Sequence, residues 1–303
     1  MAAVAELLRS HMPADQSDWL DLAQTLGQGK LRERAARMDE ENRFPFENYD
    51  DLRQSGLLGL TVPKEYGGGG VDSVTYVGVL TEIAQGCAST GLTFNMHCAI
   101  IDFLSQIASP NQKKKYFHEV VDEGAVLASI TSEPASSFRD VFRVKTQIVQ
   151  DDDGYRLNGT KAWCSLSTAA RYYFTWSRLK NSETLADGLL NVMVPSDRPG
   201  IEIMDDWDTL GMRATASNSI KFDNVRLEQD EVIGEPGVIL TKDLSFWSLG
   251  YTAVYVGIAE AAYAYCLEHA RTQLGYFEED SAQATRIHRQ IGELSITIES
   301  ARR

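Results

Sequence analysis

The sequence predicts an α+β chain built from three regions, in the order helices, strands, helices. Two shifts of periodicity carry that expectation. Apolar residues recur every three or four positions up to about residue 124, and short strand-like segments separated by turn residues follow from Ala125. Helical spacing returns after Gly237. A length of 303 residues suits two or three modest domains, and the shifts place their boundaries at 1–124, 125–236 and 237–303.

In the first region, the stretch from Ser73 sets Val77, Leu80, Ile83 and Ala84 on one helical face. Asn95 to Ile107 is a second apolar helix. Ser109-Pro110-Asn111-Gln112 opens a third, with a Ser cap, Pro in the first turn and Gln three residues after the cap. That helix turns Tyr116, Phe117, Val120 and Val121 to a core. The Gly67–Gly70 run lacks the spacing of a dinucleotide fingerprint and is expected to be a flexible connection.

The middle region reads as closely spaced strands: Val144–Val149, Tyr155–Asn158, Arg171–Arg178 and Leu189–Val194. Asp151–Gly154 is a strong turn, and Asn158-Gly159 continues a hairpin-rich pattern. This density suggests a small barrel or sandwich. In the last region Leu244–Arg271 and Thr285–Arg303 are long helices. The second ends in mid-pattern, and two helices cannot cover both of their apolar faces, so further helices are expected to belong here.

Composition narrows the function. Hydrophobic residues make up 43% and charged residues 24%, an ordinary globular balance. The net charge of -14 repels phosphate backbones, which argues against nucleic acid as a partner. The apolar runs fall far short of the roughly 20 residues that a membrane helix needs. No basic segment followed by an apolar core stands in residues 1–28, so no secretory signal is expected. Cys87, Cys98, Cys164 and Cys266 are scattered, which suits free thiols in a reducing cytoplasm, and the five histidines form no cluster suited to a metal.

Four stretches carry a resemblance. They are Phe44 to Gly70, with Pro63-Lys-Glu-Tyr-Gly-Gly; Ala128-Ser-Ile-Thr-Ser-Glu-Pro134; Leu157-Asn-Gly-Thr-Lys-Ala-Trp-Cys-Ser165; and Leu210-Gly-Met-Arg213 through Phe222-Asp-Asn-Val225. In this order and spacing they resemble the acyl-CoA dehydrogenase family. The resemblance implies an N-terminal helical domain, a middle β-barrel domain and a C-terminal helical bundle of which two long helices are present. It also implies FAD, with FMN as the alternative, held between the middle and C-terminal domains.

Residue by residue, Trp163 matches the family's flavin-stacking Trp. Ser165 matches a Thr that hydrogen-bonds near flavin N5, with its hydroxyl kept as a donor. Thr131 and Ser132 match the pair that holds the pyrimidine side. Arg271 lies where the family often has an Arg that reaches the flavin diphosphate of a neighbouring subunit; the nearby family Phe is Leu274 here, and a later Gln falls near Thr285. A guanidinium suits phosphate because its planar donor fork is always charged. Arg213 is expected in a middle-domain ion pair, with substrate contact as the alternative. The family's Gly-rich substrate loop is replaced by Ala135-Ser-Ser-Phe-Arg139, where Ser137 or Ser136 offers a hydroxyl to substrate.

The implied reaction is α,β-dehydrogenation of an acyl-CoA or acyl-carrier thioester, with a carboxylate as base. No catalytic base is assigned in this chain. One family position for it reads Phe246-Trp247-Ser-Leu-Gly250, without a carboxylate, and Glu260 is read as a surface or interhelix residue. Phe94, Met96, Trp247 and Tyr251 are candidates for the acyl pocket. The usual partner is an electron-transferring flavoprotein, and the usual assembly is a homotetramer or dimer. Two alternatives stay open: a reduced-flavin-dependent monooxygenase of the same fold, for which His97 is the candidate histidine, and a non-catalytic partner subunit.

Overall fold

The computed structural model describes residues 9–134, 144–279 and 281–302. Six N-terminal helices lead: α1 (Ser17–Leu26), α2 (Arg32–Glu40), α3 (Phe46–Gln54), α4 (Ser73–Gly86), α5 (Ala88–Ile107) and α6 (Pro110–Glu123). Eight strands follow: β1 (Leu127–Ser129), β2 (Gln147–Asp151), β3 (Gly154–Lys161), β4 (Tyr172–Leu179), β5 (Leu189–Pro195), β6 (Ile201–Ile203), β7 (Ile220–Leu227) and β8 (Val232–Ile233). Two long helices end the chain, α7 (Ser245–Leu274) and α8 (Ala282–Arg302).

Local chemistry explains several boundaries. Ser109 and Gln112 form the expected reciprocal capping box on α6, and Gly124 ends that helix in the left-handed region. The expected flexible connection at Gly67–Gly70 is instead a packed turn. Gly69 N donates to Gly59 O (3.0 Å) and Gly70 N to Val62 O (2.9 Å), and a Cβ on Gly68 would overlap the Val62 carbonyl.

The middle strands correct two expectations. They form one open sheet of order β6-β7-β3-β2-β4-β5-β8, with β1 beside β4, and not a closed barrel. Closure would require the terminal strands to pair, yet β6 and β8 have only three and two residues. The β8 edge is covered by α6: Gln112 Nε2 donates to the carbonyls of Val232 (2.7 Å) and Asp230 (2.8 Å). Asn158-Gly159 is not a hairpin turn. It lies inside β3, where the register against β7 shifts between Leu157 and Gly159, so it is a bulge.

Helices and sheet share their cores. Phe103 of α5 packs against Phe174 of β4 and Trp247 of α7, with ring centroids 5.9 and 5.5 Å apart. His97 is fully buried between them; its Nε2 lies 2.9 Å from Leu58 O, and its Nδ1 accepts from Leu127 N at 3.1 Å. Helix α7 comes close to α4 and α5 because Gly250 and Gly257 carry no Cβ; one at Gly250 would overlap Asn95 Oδ1. No helix among the described residues is long and apolar enough to cross a membrane.

Candidate functional site

The site grows from an interruption in the sheet. Strands β1 and β2 lie end to end along one edge of β4, β1 against Tyr172–Phe174 and β2 against Arg178–Leu179. Between them the chain leaves the sheet after Ile130 and returns at Thr146, whose carbonyl accepts from Arg178 N (2.8 Å). A chain forced off the ladder needs other partners for its polar groups.

Glu133 supplies them. Its Oε1 accepts from Thr146 N (2.9 Å), Thr146 Oγ1 (2.7 Å) and Lys161 Nζ (2.9 Å), and its Oε2 from Lys145 N (2.7 Å). Lys161 is fully buried, and its Nζ also reaches Thr131 O at 3.4 Å. Burial alone pushes the Glu133 carboxyl up, but Lys161 and the Thr146 donors outweigh it and hold the pKa below the usual range. Burial pulls Lys161 down, against the pull of Glu133. The pair thus ties the end of β1, the entry to β2 and the end of β3 together.

Trp163 follows directly. Ala162 N donates to Ser132 O (3.0 Å), which sets the Trp163 turn beside Thr131 and Ser132. The indole is 62% exposed, although its neighbours Ala162, Cys164, Ser165 and Leu166 are all buried. Burial raises the Cys164 thiol to about 12, so it stays protonated. The far side of the turn is stitched to the segment before β7. Cys164 N donates to Asn218 O (3.1 Å), Leu166 N to Thr215 O (3.0 Å) and Ser167 Oγ to Ala216 O (2.6 Å).

These two segments hold backbone that most residues avoid. Trp163, Leu166, Met212 and Ala216 have φ of 56, 68, 58 and 46°. The other non-glycine residues at positive φ among the described residues are all Asn, the type that tolerates it. Each such conformation costs about 1–3 kcal/mol and persists only where the surroundings enforce it, typically at functional sites. Three hydroxyls run through the same region. Ser165 Oγ lies 2.8 Å from Ser217 Oγ, Ser217 Oγ lies 2.7 Å from Thr215 Oγ1, and Thr215 Oγ1 lies 2.8 Å from Met212 O.

The structure therefore brings Thr131, Ser132, Trp163 and Ser165 to one place: two half-buried residues on one side, an exposed indole, and a buried hydroxyl on the other. Such a surface suits a flat aromatic ring with polar edges. Arg271 is elsewhere, exposed near the end of α7, and no described contact joins it to the four. Ser137 lies outside the described residues, as does the segment around it. Sequence reading passed over Ser217 and Thr215, although they stand in a quoted motif; neither the contacts among these hydroxyls nor the left-handed φ at Met212 and Ala216 leave a mark in a sequence.

The residues proposed for other roles are accounted for. His97 is a core histidine, pushed down to about 4 by burial, with the Leu58 carbonyl opposing. Arg213 does form an ion pair, with Asp208 at 2.7 Å, and its Nε donates to Asp39 O at 2.9 Å. Glu260 is an interhelix residue, 3% exposed, and accepts from Gln85 Nε2 of α4. Where a base was sought on α7, Phe246 stacks on Tyr76 at 4.4 Å and Trp247 stacks on Tyr251 at 6.4 Å.

Comparison with known proteins adds to this geometry. Models of the acyl-CoA dehydrogenase N-terminal, middle and C-terminal domains match residues 13–123, 128–225 and 249–303. A dibenzothiophene monooxygenase of Rhodococcus erythropolis is 32% identical over 80% of this chain and 60% of its own length. The mitochondrial short-chain specific acyl-CoA dehydrogenase of Rattus norvegicus is 27% identical over 88% of this chain and 65% of its own. The chain thus spans less than two thirds of either relative. Among solved structures, FMN-bound TdsC from Paenibacillus sp. A11-2 aligns with a TM-score of 0.82 and 28% identity, over 94% of this chain and 75% of that one.

Proposed function

The chain belongs to the acyl-CoA dehydrogenase family, and from that premise we propose that it is part of a flavin-dependent oxidoreductase whose ring-binding surface is Trp163, with Thr131, Ser132 and Ser165 at its edges. The observation that carries this is the exposed indole held on a strained, cross-stitched turn. Exposure alone does not mark a site, since Leu210 and Tyr265 are more exposed; Trp163 is set apart by its strained backbone between buried neighbours. The residues present fit an isoalloxazine, which needs a stacking face and polar groups around its rim.

The favoured reaction is monooxygenation with supplied reduced flavin, FMN in the first instance, on a flat aromatic heterocycle. It is supported by the higher identity to dibenzothiophene monooxygenase and by the aromatic Phe246–Trp247 segment of α7. When bound, reduced flavin supplies the electrons for oxygen insertion. The chain's own contribution is to stack the ring, hold its rim and position it through the Glu133–Lys161 clasp. A second reading, acyl thioester dehydrogenation with FAD and an electron-transferring flavoprotein as acceptor, is supported by the likeness to short-chain acyl-CoA dehydrogenase over 88% of the chain.

Substituting Trp163→Ala tests the shared premise. Flavin affinity measured by calorimetry is expected to fall about tenfold or more, with the thermal midpoint little changed, because stacking is lost from an already exposed position. Unchanged affinity would sink the assignment. The two reactions separate on oxygen uptake with reduced FMN and dibenzothiophene, against anaerobic bleaching of bound flavin by a short-chain acyl-CoA.

A further inference from the structure

The hydroxyl chain behind Trp163 has a direction that its distances impose. Each hydroxyl carries one hydrogen. Met212 O is a carbonyl and can only accept, so the hydrogen between it and Thr215 Oγ1, at 2.8 Å, belongs to Thr215. Thr215 has then no hydrogen left for Ser217, so across their 2.7 Å contact Ser217 donates. By the same step Ser165 donates to Ser217 across 2.8 Å. The amide hydrogen of Ser165 is also committed, to Trp163 O at 3.0 Å. Two oxygens at such distances without a hydrogen between them repel, so no other assignment satisfies all three contacts. Thr215, Ser217 and Ser165 are 1%, 4% and 8% exposed, which leaves water little access to break the chain.

We propose that Ser165 meets a ligand stacked on Trp163 as a hydrogen-bond acceptor only, and that the site therefore selects the reduced form of a flavin over the oxidised form. This rests on the flavin reading above and reverses the donor role expected for Ser165 from sequence. Reduction adds hydrogen to ring nitrogens that are bare acceptors in the oxidised isoalloxazine. An accepting oxygen at the N5 edge, where the resemblance sets Ser165, gains a partner from the reduced form and faces a lone pair in the oxidised one. Ser217 is then a positioning residue: it never touches the ring, and it sets the sense of the hydroxyl that does.

The test is calorimetric binding of oxidised FMN in air and of reduced FMN under anaerobic conditions, to the chain and to its Ser217→Ala and Ser165→Ala variants, with thermal unfolding as a folding control. The wild-type chain is expected to prefer reduced FMN about tenfold or more, the scale of one hydrogen bond made against one lost. Ser217→Ala frees the Ser165 hydrogen to donate and is expected to shrink that ratio about fivefold. Ser165→Ala lowers affinity for reduced FMN and leaves that for oxidised FMN no weaker. Should Ser217→Ala fail to fold, Thr215→Val reads the same shift, because Ser217 loses its acceptor and turns its hydrogen to Ser165. Equal wild-type affinity for the two forms, or a ratio unmoved in the folded variants, overturns the inference while leaving flavin binding intact. Binding of neither form removes the flavin reading and the inference together.

Discussion

Lys161 is a cation with no exposed side-chain surface, and Glu133 is the carboxylate that neutralises it while also holding two backbone amides. Removing Lys161 leaves Glu133 a buried charge without its counter-ion, held by neutral donors only, which is the expensive way to break an ion pair. Lys161→Met is expected to lower unfolding free energy by about 3–5 kcal/mol in chemical denaturation, and adding Glu133→Gln to recover part of it. A loss under about 1 kcal/mol would mean the clasp is dispensable. The sequence shows both residues inside quoted motifs, but nothing in it says that they touch, because they are 28 positions apart and meet only across the interrupted edge of β4. Trp163 was legible for a different reason. A resemblance carries a residue's type and place, whereas its exposure depends on the left-handed turn in which it stands.

Between elements, the contact of α4 with α7 holds a pair of acids. Glu82 is 8% exposed, and burial first, then Glu260, raises its pKa to about 7. The folded state therefore keeps a proton on Glu82 that an unfolded carboxyl gives up near 4.5. Between those values the native state binds more protons, so this group's contribution to stability is full at low pH and is lost as pH rises through about 7. Glu82→Gln is expected to leave unfolding by urea nearly unchanged at pH 5 and to stabilise at pH 8 by on the order of 1–3 kcal/mol. Equal effects at both pH values would count against it. Elements of regular period were the legible ones: α4, the α6 cap and the turn between β2 and β3 follow from local residues. The Gly67–Gly70 turn and the β3 bulge were misread because glycine reports only freedom, and whether that freedom serves motion or close packing is decided by the neighbours.

Across the whole molecule, the helical and sheet regions meet at Arg213. Its Nε donates to Asp39 O of α2, and its Nη1 to Thr209 O and Asp208, while Asn42 Nδ2 donates to Trp207 O at 2.9 Å. Asp208 is largely exposed, so the backbone acceptors matter more than the ion pair. Arg213→Ala is expected to cost about 1–2 kcal/mol in unfolding and to speed proteolysis near residues 205–212, which border the Ser217 hydroxyl chain. Unaltered proteolysis would place the coupling elsewhere. At the other end, α7 and α8 enclose a groove of about 830 Å³ lined in part by Tyr265, Phe277, Ile287, Ile291 and Leu294. The order of helices and strands and the family were determined by the sequence alone, because periodicity, caps and motif spacing are local properties of a chain. Tertiary structure decided that the strands stay an open sheet, that Lys161 finds Glu133, and which way the hydroxyls of Ser165, Ser217 and Thr215 point. Those outcomes depend on which groups meet across distant segments, and a hydrogen bond takes its direction from the partner at the end of the chain.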